Sequence, residues 1–212
     1  MRFEDRAGAG RALAEQLDRL ELADPVVLGL PRGGVPVAAE VARALGAPLD
    51  VFVARKVGAP GHEEYGIGAV AEGGVRVADE AILPRLGITP DVFDRLAARA
   101  DAEVVANVER FRQGRPLPRI SGRVVVLVDD GLATGMTALA ALRALRRLQP
   151  ARLVLGEPVC AASAVRQLEE EADDIECVHQ PEEFHAVGAW YVDFRPTSDE
   201  EVLRHLRAEA AS

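Results

Sequence analysis

Two adjacent carboxylates, Asp129 and Asp130, stand directly after a run of five apolar residues, Val124 to Val128. The run is mostly β-branched, which predicts a strand buried on both faces, as in a parallel sheet. Ligands of open α/β sheets bind beyond the carboxyl ends of the strands, so both acids should face a ligand. Because ionised carboxylates only accept hydrogen bonds, two of them side by side suit a cis-diol.

A short loop of small and hydroxyl-bearing residues follows the acids and leads into a helix. Its residues Thr134 to Thr137 stand where a helix leaves its first N–H groups unpaired. These donors, the helix dipole and two hydroxyls suit a phosphate monoester. The loop holds no Lys, so it is not the Gly-x-x-x-x-Gly-Lys nucleotide loop. Acids and loop together would fit a ribose 5-phosphate; the alternative is an ordinary buried strand that ends in solvated acids before a capped helix.

The run resembles the phosphoribosyl-pyrophosphate (PRPP) motif of type I phosphoribosyltransferases, which is an apolar strand, two acids and a Thr-Gly-x-Thr loop. Residues 129–137 are most similar to the version in adenine phosphoribosyltransferases. The resemblance implies that Asp129 and Asp130 bind the ribose hydroxyls near a Mg²⁺ cofactor, which donor phosphates and water would hold without a firm protein site. It also implies a 5-phosphate site made of Ala133, Thr134, Gly135, Met136 and Thr137.

Two further segments match the family. A buried strand over 26–30 runs into Pro31-Arg32-Gly33-Gly34, which corresponds to the pyrophosphate loop, although the two glycines would also serve a simple tight turn. Arg55 and Lys56, after a strand predicted over 49–54, correspond to a basic pair that contacts pyrophosphate, in some members across a dimer interface. The alternative for this pair is a solvated strand end. Lys56 is the single Lys beside 24 Arg. The resemblance therefore implies pyrophosphate binding by Arg32, Gly33, Gly34, Arg55 and Lys56, catalysis by Asp129, Asp130, Arg55 and Lys56, and a homodimer.

The segment from Gly58 to Gly74 contains six glycines and Pro60. This composition predicts a stretch too flexible for a packed element, with a small hairpin over 70–77 around Gly73-Gly74. In the family a mobile catalytic loop lies here, at about 57–78, and closes over the substrate. Glu64 and Tyr65 are candidates to reach the site on closure, or they are ordinary loop residues.

From about residue 180 the pattern changes to an irregular aromatic segment and a final helix. The segment resembles the hood of hypoxanthine-guanine phosphoribosyltransferases, one residue longer, which implies base binding by Val187, Trp190, Tyr191 and Asp193. Core packing is the alternative for the aromatic residues. Ala133 stands where those enzymes carry an Asp proposed as general base. The acceptor is therefore open.

Strands and helices alternate along the chain. Strands are predicted over 26–30, 49–54, 124–128, 152–158 and 175–178, and helices over 5–20, 35–45, 90–112, 161–172 and from 198 onward. The central helix follows the phosphate loop and carries Leu139, Leu142, Leu145 and Leu148. These elements predict an α/β fold with a doubly wound, mainly parallel five-stranded sheet and helices on both faces. The 212 residues would form a single domain with its core at about 21–180 and its hood and last helix at about 180–212.

The net charge of −9 without a basic stripe argues against a nucleic-acid partner. No long apolar run or leader-like stretch stands out, which favours a cytoplasmic protein without a membrane partner. Cys160 and Cys177 show no metal or redox spacing and are expected as buried, reduced thiols.

The sequence thus predicts transfer of the phosphoribosyl group of PRPP to a small nitrogen nucleophile, a nucleobase above all. The transition state would be oxocarbenium-like and pyrophosphate would leave. One alternative is a non-catalytic regulator that binds PRPP or a nucleotide on the same fold. A hydrolase that uses the acid pair would need a metal cluster or a placed nucleophile, and the sequence shows neither ligand spacing among its four His nor a Gly-x-Ser-x-Gly elbow.

Overall fold

The computed structural model describes residues 1–210, apart from the side chains of Glu64, Glu209 and Ala210. The strands are β1 (Pro25–Gly29), β2 (Leu49–Val51), β3 (Ala54–Ala59), β4 (His62–Ala71), β5 (Val75–Ala78), β6 (Val124–Val128), β7 (Arg152–Val159) and β8 (Asp174–His179). The α-helices are α1 (Arg6–Leu17), α2 (Gly34–Leu45), α3 (Pro90–Arg112), α4 (Met136–Arg146), α5 (Ala162–Leu168) and α6 (Asp199–Ala210).

Five of these strands form a parallel sheet in the order β2-β1-β6-β7-β8. Alternate residues of the central strands enter two separate cores. Val27 and Val126 join the core beneath α1 and α2, whereas Val26 and Leu127 join the core beneath α4 and α5. The predicted doubly wound sheet with helices on both faces is confirmed, and burial on both faces explains why its strands read as unbroken apolar runs.

The remaining strands form a separate antiparallel sheet in the order β3-β4-β5. The predicted hairpin is confirmed, with Ala71 opposite Val75. The expectation that 58–74 is too flexible to pack was wrong, because β4 is ten residues long and buries Ile67 and Ala69 completely. Its glycines allow close packing: a Cβ on Gly68 would lie 2.6 Å from the Phe93 ring of α3.

The strand predicted over 49–54 also ends earlier than expected. β2 stops at Val51, and Phe52 is buried as the chain leaves the parallel sheet. The Val53 amide then donates to the Glu72 carboxylate at 3.1 Å, and pairing with β4 begins at Ala54. Arg55 and Lys56 therefore lie inside β3, and their prediction as the end of a core strand was wrong.

The helices agree with the sequence in number and position, with differences at their ends. α4 stops at Arg146, so Leu148 falls outside the predicted stripe and is 40% exposed. α5 is shorter than predicted and ends at Leu168. Ser198 caps α6, since its Oγ accepts from the Glu201 amide at 3.1 Å. Among the helices described, none combines the length and the apolar character that crossing a membrane requires.

Cys160 and Cys177 are joined in a disulfide, with their Cα atoms 6.3 Å apart. The expectation of reduced thiols was wrong. The sequence hid the pairing because a crossover through α5 separates the two residues, whereas β7 and β8 run side by side in register, with Glu157 opposite Cys177. This Cα separation is within the usual range for a disulfide.

Candidate functional site

β1 and β6 end side by side, and the loops that follow them touch. The Leu30 amide donates to Val128 O at 2.8 Å, and the peptide bond between Pro31 and Arg32 is cis. A Cβ on Gly34 would lie 2.6 Å from Val128 O and 2.7 Å from Asp129 Cα, and one on Gly33 would overlap the Asp130 carboxylate. Glycine is therefore required for this loop to lie directly against the acid pair.

The two acids have different partners. The Asp129 carboxylate accepts from the Asp130 amide at 2.8 Å. The Asp130 carboxylate accepts from Arg6 Nε at 2.9 Å and forms an ion pair with Arg6 Nη2 at 2.8 Å. The Asp130 backbone carbonyl accepts from the Tyr191 hydroxyl at 2.6 Å. Arg6 lies at the start of α1, and its guanidinium stacks on the Phe194 ring at 4.1 Å. Sequence reasoning missed Arg6, because nothing in its local pattern connects it with residue 130.

A third acid, Glu157 of β7, adjoins the pair. It is completely buried, and neither of its carboxylate oxygens has a hydrogen-bond partner within the described part of the chain. Burial and the charges of Asp129 and Asp130 raise its pKa well above the usual value. The signal for it was a lone acid inside an apolar strand, Leu-Val-Leu-Gly-Glu-Pro-Val, which the sequence reading did not use.

Burial also raises the pKa of Asp129, and the charge of Asp130 raises it further. For Asp130, burial raises the pKa while the nearby Arg6 guanidinium opposes that rise. The end of β6 thus concentrates carboxylates that repel one another. Hydrogen-bond donors such as hydroxyls, or a cation, would stabilise their ionised forms.

The loop after the acids is fixed at its base and open at its tip. Leu132 exchanges hydrogen bonds of 2.8 Å with Val159 O and the Ala161 amide, whereas Ala133 and Thr134 are exposed. Gly135 caps α4 with φ of 75°, a conformation that other residues adopt only with strain. The first N–H groups of α4 lie at this turn, and they have no hydrogen-bond partners within the helix. The predicted phosphate loop has the expected local form.

The predicted basic residues fall on two neighbouring cavities. Arg32 and Arg55 line one of about 310 Å³, between the loop after β1, α3 and α6. Arg55 also lines a second of about 270 Å³, together with Lys56. Both arginines have carboxylate partners: Arg32 lies 3.5 Å from Asp199, and Arg55 lies 2.7 Å from Glu103.

The candidates in the antiparallel sheet lie apart from this site. Tyr65 is half exposed on β4 and lines a cavity with His62 and Leu86. Among the residues that the structure describes, this cavity is lined by none from the acid pair or from the loops beside it. The Glu64 side chain lies outside the described residues. The structure therefore does not bring Tyr65 to the acids.

The hood residues are largely engaged with one another. Tyr191 is buried, with its ring 5.6 Å from Phe3 and 5.0 Å from Phe194. Trp190 packs edge-on against His179 at 4.8 Å. A hydrogen bond from Arg195 lowers the pKa of Asp193 to about 2. The Val187 side chain closes on the acid loop, since a Cβ on Gly131 would lie 2.6 Å from it.

A five-stranded parallel sheet with an acid pair, a glycine-led turn and an arginine-bearing glycine loop at one edge defines a protein of the type I phosphoribosyltransferase class. The comparison with known families agrees. The chain belongs to the phosphoribosyl transferase domain family, whose model matches residues 3–194.

Relatives support this assignment. Two Mycobacterium tuberculosis proteins, from strains CDC 1551 and H37Rv, carry the provisional name of phosphoribosyl transferase and are 43% identical over 204 residues. The alignment covers 96% of this chain and 46% of theirs, so the chain spans about half the length of these relatives. The crystal structure of a Thermus thermophilus protein is 47% identical, with a TM-score of 0.81, over 97% of this chain and 98% of that one. An Aquifex aeolicus protein, 15% identical over 86% of this chain and 78% of its own, shares the fold alone, with a TM-score of 0.53.

Proposed function

We propose that this protein transfers the phosphoribosyl group of PRPP to a nitrogen nucleophile, a nucleobase in particular, and releases pyrophosphate. The observation that carries the proposal is the direct contact of the Asp129-Asp130 pair with the Gly33-Gly34 loop, beside the turn that opens α4. If the acids bind the ribose hydroxyls, the turn before α4 would bind the 5-phosphate, and the Gly33-Gly34 loop would bind the diphosphate. This arrangement matches the two ends of PRPP.

The residues take the following roles in the proposal. Asp129 and Asp130 bind the ribose hydroxyls, and residues 133–137 bind the 5-phosphate. Arg32, Gly33 and Gly34, with Arg55 and Lys56, bind the diphosphate. The bond between the ribose anomeric carbon and the diphosphate oxygen breaks, and both electrons leave on that oxygen. The acceptor nitrogen bonds to the anomeric carbon and gives up its proton to the departing pyrophosphate or to water. Positioning and stabilisation of the departing charge supply the catalysis, without a covalent enzyme intermediate.

Mg²⁺ fits this proposal as a cofactor that the donor carries in. In the part of the chain that the structure describes, no three His, Cys, Asp or Glu side chains are arranged to hold a metal. Mg²⁺ keeps several waters and often uses only one or two carboxylates beside substrate phosphates, and Asp129 and Asp130 are the acids positioned for that. When bound, Mg²⁺ would neutralise part of the diphosphate charge.

The proposal is tested by measuring pyrophosphate release from PRPP with Mg²⁺ and a panel of nucleobases and small amines. We expect release that depends on one class of acceptor and falls at least about a hundredfold in Asp130→Asn, in which the paired carboxylate is lost. The folded state of the variant is checked by circular dichroism. Release that is equal in both proteins, or that needs no acceptor, would contradict the proposed transfer.

The alternative is a regulator that binds PRPP without turning it over. Burial of Tyr191 favours it, because the ring cannot stack on a base in this arrangement. Such a protein would bind PRPP and release no pyrophosphate with any acceptor of the panel.

We also propose that residues 1–212 form one domain and that two copies associate as a homodimer. Light scattering of the purified protein would test the homodimer.

A further inference from the structure

The Asp199 carboxylate bridges two arginines, Arg32 and Arg110, beside the glycine loop that follows β1. Asp199 Oδ1 lies 3.5 Å from Arg32 Nη1, and Asp199 Oδ2 lies 3.1 Å from Arg110 Nη1. The three residues come from the β1 loop, from α6 and from the last turns of α3. All three line the cavity of about 310 Å³ described above, which also holds Arg55, Glu103 and Asn107.

The cavity has the size and the charge for a small anion. Its volume is at the lower end for small-molecule pockets, which begin at about 300 Å³. Its lining carries three guanidinium groups and two carboxylates, those of Arg32, Arg55, Arg110, Asp199 and Glu103. Arg55 donates to the Glu103 carboxylate from Nη2 at 2.7 Å and from Nε at 3.2 Å. Guanidinium groups bind phosphate oxygens with the same fork geometry as they bind carboxylates. Each carboxylate thus stands where a phosphate group would otherwise pair.

These ion pairs are easily exchanged. About half of each arginine side chain is exposed, 54% for Arg32 and 51% for Arg110, and the Asp199 side chain is 32% exposed. Ion pairs in such partly solvated places contribute little to stability. A diphosphate, with several negative charges, would bind the arginines more strongly than one carboxylate does.

We infer that Arg110 is a third diphosphate-binding arginine, and that the Asp199 carboxylate holds Arg32 and Arg110 until the diphosphate of the donor displaces it. The inference rests on the proposed function, because it places the diphosphate of PRPP at Arg32. It adds α3 and α6 to a subsite that the sequence assigns to the β1 loop and the Arg55-Lys56 pair alone. Asp199 of α6 would then compete with the diphosphate of PRPP for Arg32 and Arg110.

The experiment is calorimetric titration with inorganic pyrophosphate and, separately, with ribose 5-phosphate, both with Mg²⁺. The variants are Arg110→Ala and Asp199→Asn, each folded as judged by circular dichroism. Controls are Arg95→Ala, an exposed arginine of the same helix, and Glu200→Gln, the exposed neighbour of Asp199. We expect Arg110→Ala to weaken pyrophosphate binding about tenfold, as for one lost charge-assisted contact. Asp199→Asn should strengthen it roughly two- to fivefold, as for one released surface ion pair.

Ribose 5-phosphate affinity should stay unchanged in all four variants, because that ligand carries no diphosphate. Pyrophosphate binding that is unchanged in Arg110→Ala, or weaker in Asp199→Asn, would overturn the inference while leaving the proposed function intact. Equal effects on both ligands would overturn it as well, since they would indicate a general loss of structure. Wild type that binds ribose 5-phosphate but no pyrophosphate would overturn the inference and the diphosphate-binding roles of Arg32, Arg55 and Lys56, and would leave the proposed 5-phosphate site intact. Wild type that binds neither of these ligands nor PRPP would contradict the proposed function with it.

Discussion

At the scale of single residues, Asp130 is held by side chains from both ends of the chain. Arg6 pairs with its carboxylate and Tyr191 donates to its carbonyl, while Gly33 lies against its side chain. Asp130 and Gly33 could be predicted as site residues from the sequence, because each lies in a motif of adjacent residues. Arg6 and Tyr191 could not be connected with Asp130 in the same way, since their contacts cross 124 and 61 positions of sequence.

Glu157 allows a test of the electrostatics at this edge of the sheet. Its pKa is raised in the folded protein, so the folded state keeps a proton that the unfolded chain releases near pH 4.5. The free energy of unfolding should therefore fall as pH rises from about 4.5 through the raised pKa of the folded state. Glu157→Gln removes the charge, and we predict a variant more stable at pH 8 by about 1–3 kcal/mol, with a flatter dependence on pH.

Urea denaturation at a series of pH values measures this effect. Glu170→Gln, at an exposed site, serves as the control and should follow wild type at every pH. Asp129 and Asp130 are present in all three proteins, so the difference between profiles reports on Glu157 together with its repulsion of those two acids. A Glu157→Gln profile parallel to that of wild type, or lower stability at pH 8, would show that the folded protein satisfies this carboxylate in its charged form.

At the scale of elements, the parallel sheet could be predicted because each of its central strands is a short apolar run followed by a helix pattern. Of the antiparallel sheet, only the hairpin around Gly73-Gly74 could be predicted, because the first half of β4 is rich in glycine and polar residues that are typical of loops. β4 is held by pairing with β3 and β5 and by packing against α3 and α4, and single-residue propensities do not report those tertiary contacts. Pairing with β4 places Arg55 and Lys56 inside β3, opposite Val70 and Ala69.

Two glycines of β4 give a matched test of that packing. A Cβ on Gly68 would meet the Phe93 ring at 2.6 Å and the Val77 carbonyl, whereas one on Gly66 would meet nothing within 4 Å. We predict that Gly68→Ala destabilises the protein by about 1–3 kcal/mol through overpacking. Gly66→Ala should be neutral or stabilising by up to about 1 kcal/mol, because alanine restricts the unfolded chain. Thermal unfolding of both variants compares them directly, and equal melting temperatures would contradict close packing of β4 on α3.

At the scale of the whole molecule, the N-terminal segment and the hood form one unit over the site. Phe3 pairs with the hood through the Trp190 carbonyl and the Val192 amide, each at 2.8 Å. α6 continues from there and delivers Asp199 to Arg32 and Arg110. The hood was implied by the resemblance of this segment to that of hypoxanthine-guanine phosphoribosyltransferases, whereas the contact of both chain ends with the site follows only from tertiary contacts. Under the proposed function, the acceptor would be selected in this region, where the local motifs are least informative.

The most direct test of the donor site is calorimetric titration of wild type and Asp130→Asn with PRPP, with and without Mg²⁺. We predict binding by wild type with a Kd on the order of micromolar, stronger with Mg²⁺, and a loss of about a hundredfold or more in the variant, which lacks the ionised acceptor for the ribose hydroxyls. Unchanged binding by Asp130→Asn would place the donor elsewhere on the protein. No binding of PRPP by wild type under either condition would contradict the donor site at Asp129 and Asp130.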